Sequence, residues 1–177
     1  MRHPLEFIPQ NLRKPLFYVF FALTLLIFGV FRGLDAPLRT AAAPSGIVSF
    51  ELARTVDVAQ AILTSWDSDA RLYAAFGLGL DYLFMPAYAL ALSLGILLMM
   101  NSRTGWVLQL FAWMGWGIFT AALLDAVENY ALWMELTGSV FSPYPEIAAF
   151  CASVKFALLV AGLLTVIVGG FIKKEQT

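Results

Sequence analysis

Cysteine and histidine are nearly missing from this sequence, with one of each in 177 residues. The single cysteine, Cys151, excludes an internal disulfide and a CxxC redox pair. The lone histidine, His3, stands at the N-terminal end, which excludes a haem or chlorophyll held by a histidine inside a span. A conventional His/Cys metal site is excluded for the same reason, and no cofactor is expected. Serine-hydrolase chemistry lacks both a usable histidine and a G-x-S-x-G run, and ATP-driven transport lacks a P-loop. Charge is scarce too: 13% of residues, against about 25% in a soluble domain. Eleven basic and twelve acidic side chains leave a net charge of -1, so no basic field attracts nucleic acid.

What remains is apolar. Hydrophobic residues make up 60% of the chain and the mean hydropathy is +0.79, which points to lipid as the main solvent. Four segments reach spanning length, for which about 20 residues suffice. They cover about 16–33, 71–100, 105–133 and 146–172. The first, Leu16 to Phe31, follows a basic stretch and could be mistaken for a signal peptide. Its apolar run is longer than an ordinary signal core, so it reads as an uncleaved first span. The expected fold is all-α: an integral membrane four-helix bundle forming one domain over residues 1–177.

Lys and Arg near the span ends set the expected orientation. Arg2, Arg13, Lys14, Arg103, Lys173 and Lys174 fall on one side, and Arg32, Arg39, Arg54 and Arg71 on the other. Both termini and the Asn101–Thr104 turn are thus expected in the cytoplasm, with a bacterial inner membrane favoured as the location. Most of the acids, including Asp35, Glu51, Glu135 and Glu146, then lie outside.

The first outer loop is more than a linker. Leu34 to Ser45, with Pro37 and Pro44, reads as irregular. Residues 47–66 then repeat apolar side chains at Val48, Leu52, Val56, Ala59, Leu63 and Trp66. That spacing predicts a short amphipathic extracytoplasmic helix between the first and second spans. It serves either as a lid over helix ends or as a gate or docking element. Asp67 or Ser68 can cap the helix that follows. Terminal aromatics such as Trp106, Trp133 and Tyr130 suit an interfacial belt, whereas Trp113 and Trp116 are expected to pack.

Ionisable residues within spans are costly and mark partners or water. Here they are Asp81, Asp125, Glu128 and Lys155. Helical rise puts Asp81 about 13 Å and Lys155 about 12 Å below the outer ends of their helices. Asp125 and Glu128 occupy the same outer half. On the third span Gly117, Ala121, Asp125 and Asn129 share a stripe, with Glu128 beside it. Ala74, Gly77, Asp81 and Tyr88 share a face of the second span, and Ala148, Cys151 or Ala152, Lys155 and Gly162 one of the fourth. Lys155 is expected to face at least one of the three acids. Asn129, Tyr82 and Tyr88 can hydrogen-bond within that layer. Pro86 removes one helical hydrogen bond, frees the Tyr82 carbonyl and is expected to kink the helix.

Three carboxylates against one ammonium cannot all stay ionised in a dry core. One acid is neutral, or water enters, or a cationic ligand supplies charge. Several functions fit: a small-amphiphile-binding or transport-related subunit whose partners are the bilayer and an amphiphilic ligand; an acid–base enzyme on a lipid or sterol-like substrate; or a structural subunit of a homo- or hetero-oligomer. An enzyme is the less favoured of these.

Overall fold

The computed structural model describes residues 1–100 and 105–171, with the side chains of 170 and 171 excepted. The expected Asn101–Thr104 turn, Arg103, Lys173 and Lys174 lie outside the described residues. Among those described there are helices and no strands. In chain order they are α1 (Gln10–Leu34), a 3₁₀ turn (Ala36–Leu38), α2 (Ile47–Glu51), α3 (Val56–Ser65), α4 (Ser68–Met100), α5 (Gly105–Leu136) and α6 (Tyr144–Phe171).

Four of these, α1, α4, α5 and α6, are long and apolar enough to cross a membrane. α4 has 33 residues, so at helical rise it is about 50 Å long, more than a hydrocarbon core of about 30 Å requires. It starts where Asp67 Oδ1 accepts the Ala70 N–H at 2.8 Å, which satisfies one of the orphan donors of a first turn. It continues through Pro86. α1 begins six residues before Leu16, because Gln10 to Lys14 add a polar helical turn after Pro9.

The chain divides into two compact units. The loop unit comprises Leu26–Met85 and Leu123–Val154; the terminal unit comprises Met1–Leu25, Pro86–Ala122 and Lys155–Thr177. Charge separates sharply between them. Ten of the twelve acids and four of the eleven bases belong to the loop unit, leaving it at -6, while the terminal unit carries two acids and seven bases, or +5.

In the loop unit, residues 35–66 fold into a pinned cap. Asp35 anchors its start: one carboxylate oxygen accepts from Arg39 Nε and the other from the Ile47 N–H, both at 2.9 Å. Gly46 turns there at φ 59°, ψ -130°, and a Cβ would overlap the Asp35 carboxylate, so both backbone and space demand glycine. Trp66 closes the other end, donating from Nε1 to the Leu38 carbonyl at 2.8 Å and meeting the Phe50 ring edge-on at 5.2 Å. Leu38, Phe50, Ile62, Leu63 and Trp66 bury against Ala70, Ala74 and Leu78 of α4, Ala131 and Leu132 of α5, and Ala148 of α6.

The expected single helix over 47–66 is two helices instead. Arg54 takes a left-handed φ of 61°, and the Thr55 hydroxyl accepts the Val58 N–H at 3.4 Å to start α3. The break changes which residues face inward. Phe50, Ala53, Ala59, Ile62, Leu63 and Trp66 are buried, whereas Val48 and Leu52 are exposed.

In the terminal unit the first nine residues fold back on the helices. Arg13, buried, donates from its guanidinium to the carbonyls of Ile8 at 2.9 Å and Glu6 at 3.0 Å. Leu5 drops into a core with Leu94 and Leu97, flanked by Phe17, Phe20 and Phe119. The N-terminal amine donates to Gln109 Oε1 at 3.2 Å, and Trp116 Nε1 donates to the Arg2 carbonyl at 3.1 Å. Trp113 and Trp116 were expected to pack inside, but both are largely exposed; the segment takes only the edge of Trp116.

Candidate functional site

A helix places residues three, four and seven apart on one face. On α5 that face carries Asp125, Glu128, Asn129 and Glu135, all buried, with Leu132 between them. Asn129 links the stripe to α4 within the loop unit. Its amide donates to the Asp81 carboxylate at 2.9 Å and to the Leu78 carbonyl at 3.2 Å. A hydrogen bond to a carboxylate is worth about 1.5–3 kcal/mol, so this pair holds the α4–α5 register as well as orienting Asp81. Tyr82 reaches α5 with a longer bond, its hydroxyl donating to the Ala126 carbonyl at 3.4 Å.

Five of the seven expected site residues, Asp81, Tyr82, Asp125, Glu128 and Asn129, therefore belong to the loop unit. Lys155 and Tyr88 belong to the terminal unit. Both are buried, and the Lys155 ammonium lies 4.8 Å from the centre of the Phe156 ring, a cation–π distance. The small-residue stripe of α6 is buried at Ala148, Cys151 and Ala152, as its spacing implies.

Glu135, expected only as one of the acids of the outer side, is a further buried member of this stripe. It lies seven residues beyond Glu128, and that period is the signal that could have found it. Its side chain is 1% exposed, and neither carboxyl oxygen has a hydrogen-bond partner among the described residues. A buried polar group without a partner costs about 1–3 kcal/mol. Glu135→Leu should therefore stabilise the protein by about that amount. Chemical unfolding in a mild detergent measures this, and a loss of stability would show that the carboxyl group has a partner it needs.

Beside the polar stripe, a half-open groove of about 250 Å³ lies between residues 75–82 of α4 and 129–133 of α5. Ala75, Leu78 and Gly79 form its α4 side. Tyr82, Tyr130 and Trp133, each about half exposed, stand around it, and Asn129 lines it as well. A Cβ on Gly79 would meet nothing within 4 Å, so the groove is open space at that point. Among the described residues no three His, Cys, Asp or Glu side chains gather closely enough to hold a metal ion.

These features define an all-helical chain with four helices of membrane-crossing length and, in one unit, a polar α4–α5 pair next to an aromatic groove. Comparison with protein-family models, curated proteins and solved structures finds no match to this chain.

Proposed function

We propose that this is a multi-pass membrane protein that binds a small amphiphile in the α4–α5 groove of its loop unit. The groove carries the reading: it combines about 250 Å³ of mostly apolar space with the buried Asn129 amide, which is hydrogen-bonded to the partly buried Asp81 carboxylate. Ligand sites are typically apolar concavities with a few fixed polar groups that set orientation. The four apolar helices suit a bilayer, and Arg2, Arg13, Lys14, Arg103, Lys173 and Lys174 near the span ends favour a cytoplasmic side for both termini. The cap over residues 35–66 then lies on the outer side. A bacterial inner membrane is the favoured setting, and lipid reaches the groove laterally.

Gly79→Phe tests this reading. The ring would enter the groove without a collision at Cβ. Native mass spectrometry of protein extracted in mild detergent should find an amphiphile retained by the wild type. The variant should lose it while keeping the wild-type melting temperature. Equal retention by both proteins, or none by the wild type, would overturn the assignment.

A further inference from the structure

The groove has a head-group preference written into its surroundings. Tyr82, Tyr130 and Trp133 bring three aromatic rings to one space of about 250 Å³. Aromatic faces carry negative quadrupole charge, and several rings around one space are the usual receptor for a quaternary or protonated ammonium. The field around them has the matching sign. The loop unit has ten acids against four bases, and of these bases Arg39 is paired with Asp35 while Arg71 is turned to the Leu63 carbonyl, to which it donates at 2.6 Å. Asp81 adds a carboxylate fixed by Asn129, a residue that itself lines the groove.

The position of the rings suits a ligand whose head is polar and whose tail is apolar. Trp133 is three residues from the end of α5, whereas Tyr82 is fourteen residues into α4, about 21 Å along that helix. The groove thus starts near a helix end, between Ala75 and Trp133, where head groups sit, and runs toward the bilayer interior past Gly79 to Tyr82. An anionic head would meet the negative field of the loop unit, and a neutral one would gain nothing from it.

Building on the groove reading above, we infer that the ligand is a cationic amphiphile, with an ammonium group held by Tyr130 and Trp133 near the helix end and a hydrocarbon tail running inward past Gly79 to Tyr82. The ammonium is carried either by a membrane lipid or by a free amphiphile. The full-length protein in nanodiscs of neutral lipid is titrated with tetradecyltrimethylammonium and, separately, with its uncharged carbon isostere. The cation should bind saturably and about tenfold or more tightly than the isostere. Tyr130→Leu and Trp133→Leu should each remove most of that preference, while Trp133→Phe, which keeps an aromatic face, retains it. Displacement of the probe by choline-headed phospholipid would assign the site to a lipid head, and lack of displacement to a free amphiphile; both support an ammonium site.

Equal affinity for cation and isostere would overturn this inference yet leave an amphiphile groove in place, provided Gly79→Phe abolishes binding of both. Saturable binding of neither, or binding untouched by Gly79→Phe, would remove the groove reading itself.

Discussion

Trp66→Ala will cost about 3–5 kcal/mol and free the cap over residues 35–66. Trp66 is 3% exposed and lies in the core that joins the cap to α4, α5 and α6 within the loop unit. Its removal leaves a large cavity against Phe50 and strips the Leu38 carbonyl of its 2.8 Å donor. The cap has little else of that size to hold it, since α2 and α3 have five and ten residues and neither length is stable alone. Trp66→Phe separates the two contributions: it keeps most of the packing and should lose about 1 kcal/mol for the hydrogen bond. Hydrogen exchange by mass spectrometry should show fast exchange over residues 35–66 in the alanine variant and near-normal protection over 110–120 in the terminal unit. A melting temperature unchanged in Trp66→Ala would mean that the Asp35 anchor alone holds the cap.

The second large effect concerns acid. His3 is 3% exposed; its Nδ1 accepts the Leu5 N–H at 3.2 Å, and its ring fills the place a Cβ on Gly115 would take. Burial, helped by the Arg13 charge, lowers its pKa from the ordinary 6.5 to about 4. The folded segment thus holds a neutral ring that a detached segment would protonate below pH 6.5. The attachment is at full strength above pH 6.5, weakens as pH falls from 6.5 to 4, and has lost all of this contribution below 4. At 1.36 kcal/mol per pKa unit the loss approaches roughly 3 kcal/mol, enough to release nine residues held by a few hydrogen bonds and Leu5. The indole N–H resonance of Trp116, bonded to the Arg2 carbonyl, reports the release and should shift toward the solvent-exposed position between pH 6.5 and 4. Gly115→Leu should give the released spectrum at every pH, because the side chain takes the ring's place. His3→Phe keeps the bulk without the titration and should abolish the pH dependence. A transition that survives in His3→Phe would assign it to another group.

The Asp81–Asn129 contact was legible from period alone. Asp125 and Asn129 are four apart, and Asp81 lies at a matching depth on the preceding span, so helical rise sufficed to anticipate that Asn129 and Asp81 share a level. Glu135 escaped because it follows Trp133, and an aromatic near a span end invites the reading that the buried part of the helix stops there. α5 continues to Leu136, under the cap, and Glu135 is buried with it. The outer helix was half legible. Ala59, Leu63 and Trp66 do face inward, but the run from Glu51 to Thr55 contains good helix formers and gives no local warning of a break. The turn at Arg54 depends on burying Phe50 and Trp66 together, which no window along the chain can weigh.

The four apolar helices, their order and the asymmetry of charge along the chain were determined by the sequence alone. A long apolar run has no water to satisfy its backbone in lipid, and a helix satisfies it within the run itself, so local composition is enough. The tertiary structure alone decided the fold-back of residues 1–9 under Gly115, the two-helix cap and the groove beside Asn129. Each depends on how far a helix is rotated about its axis and on which distant side chain fills the space left beside a glycine. Those choices rest on small differences in packing between residues far apart in the chain, to which a periodic pattern is blind.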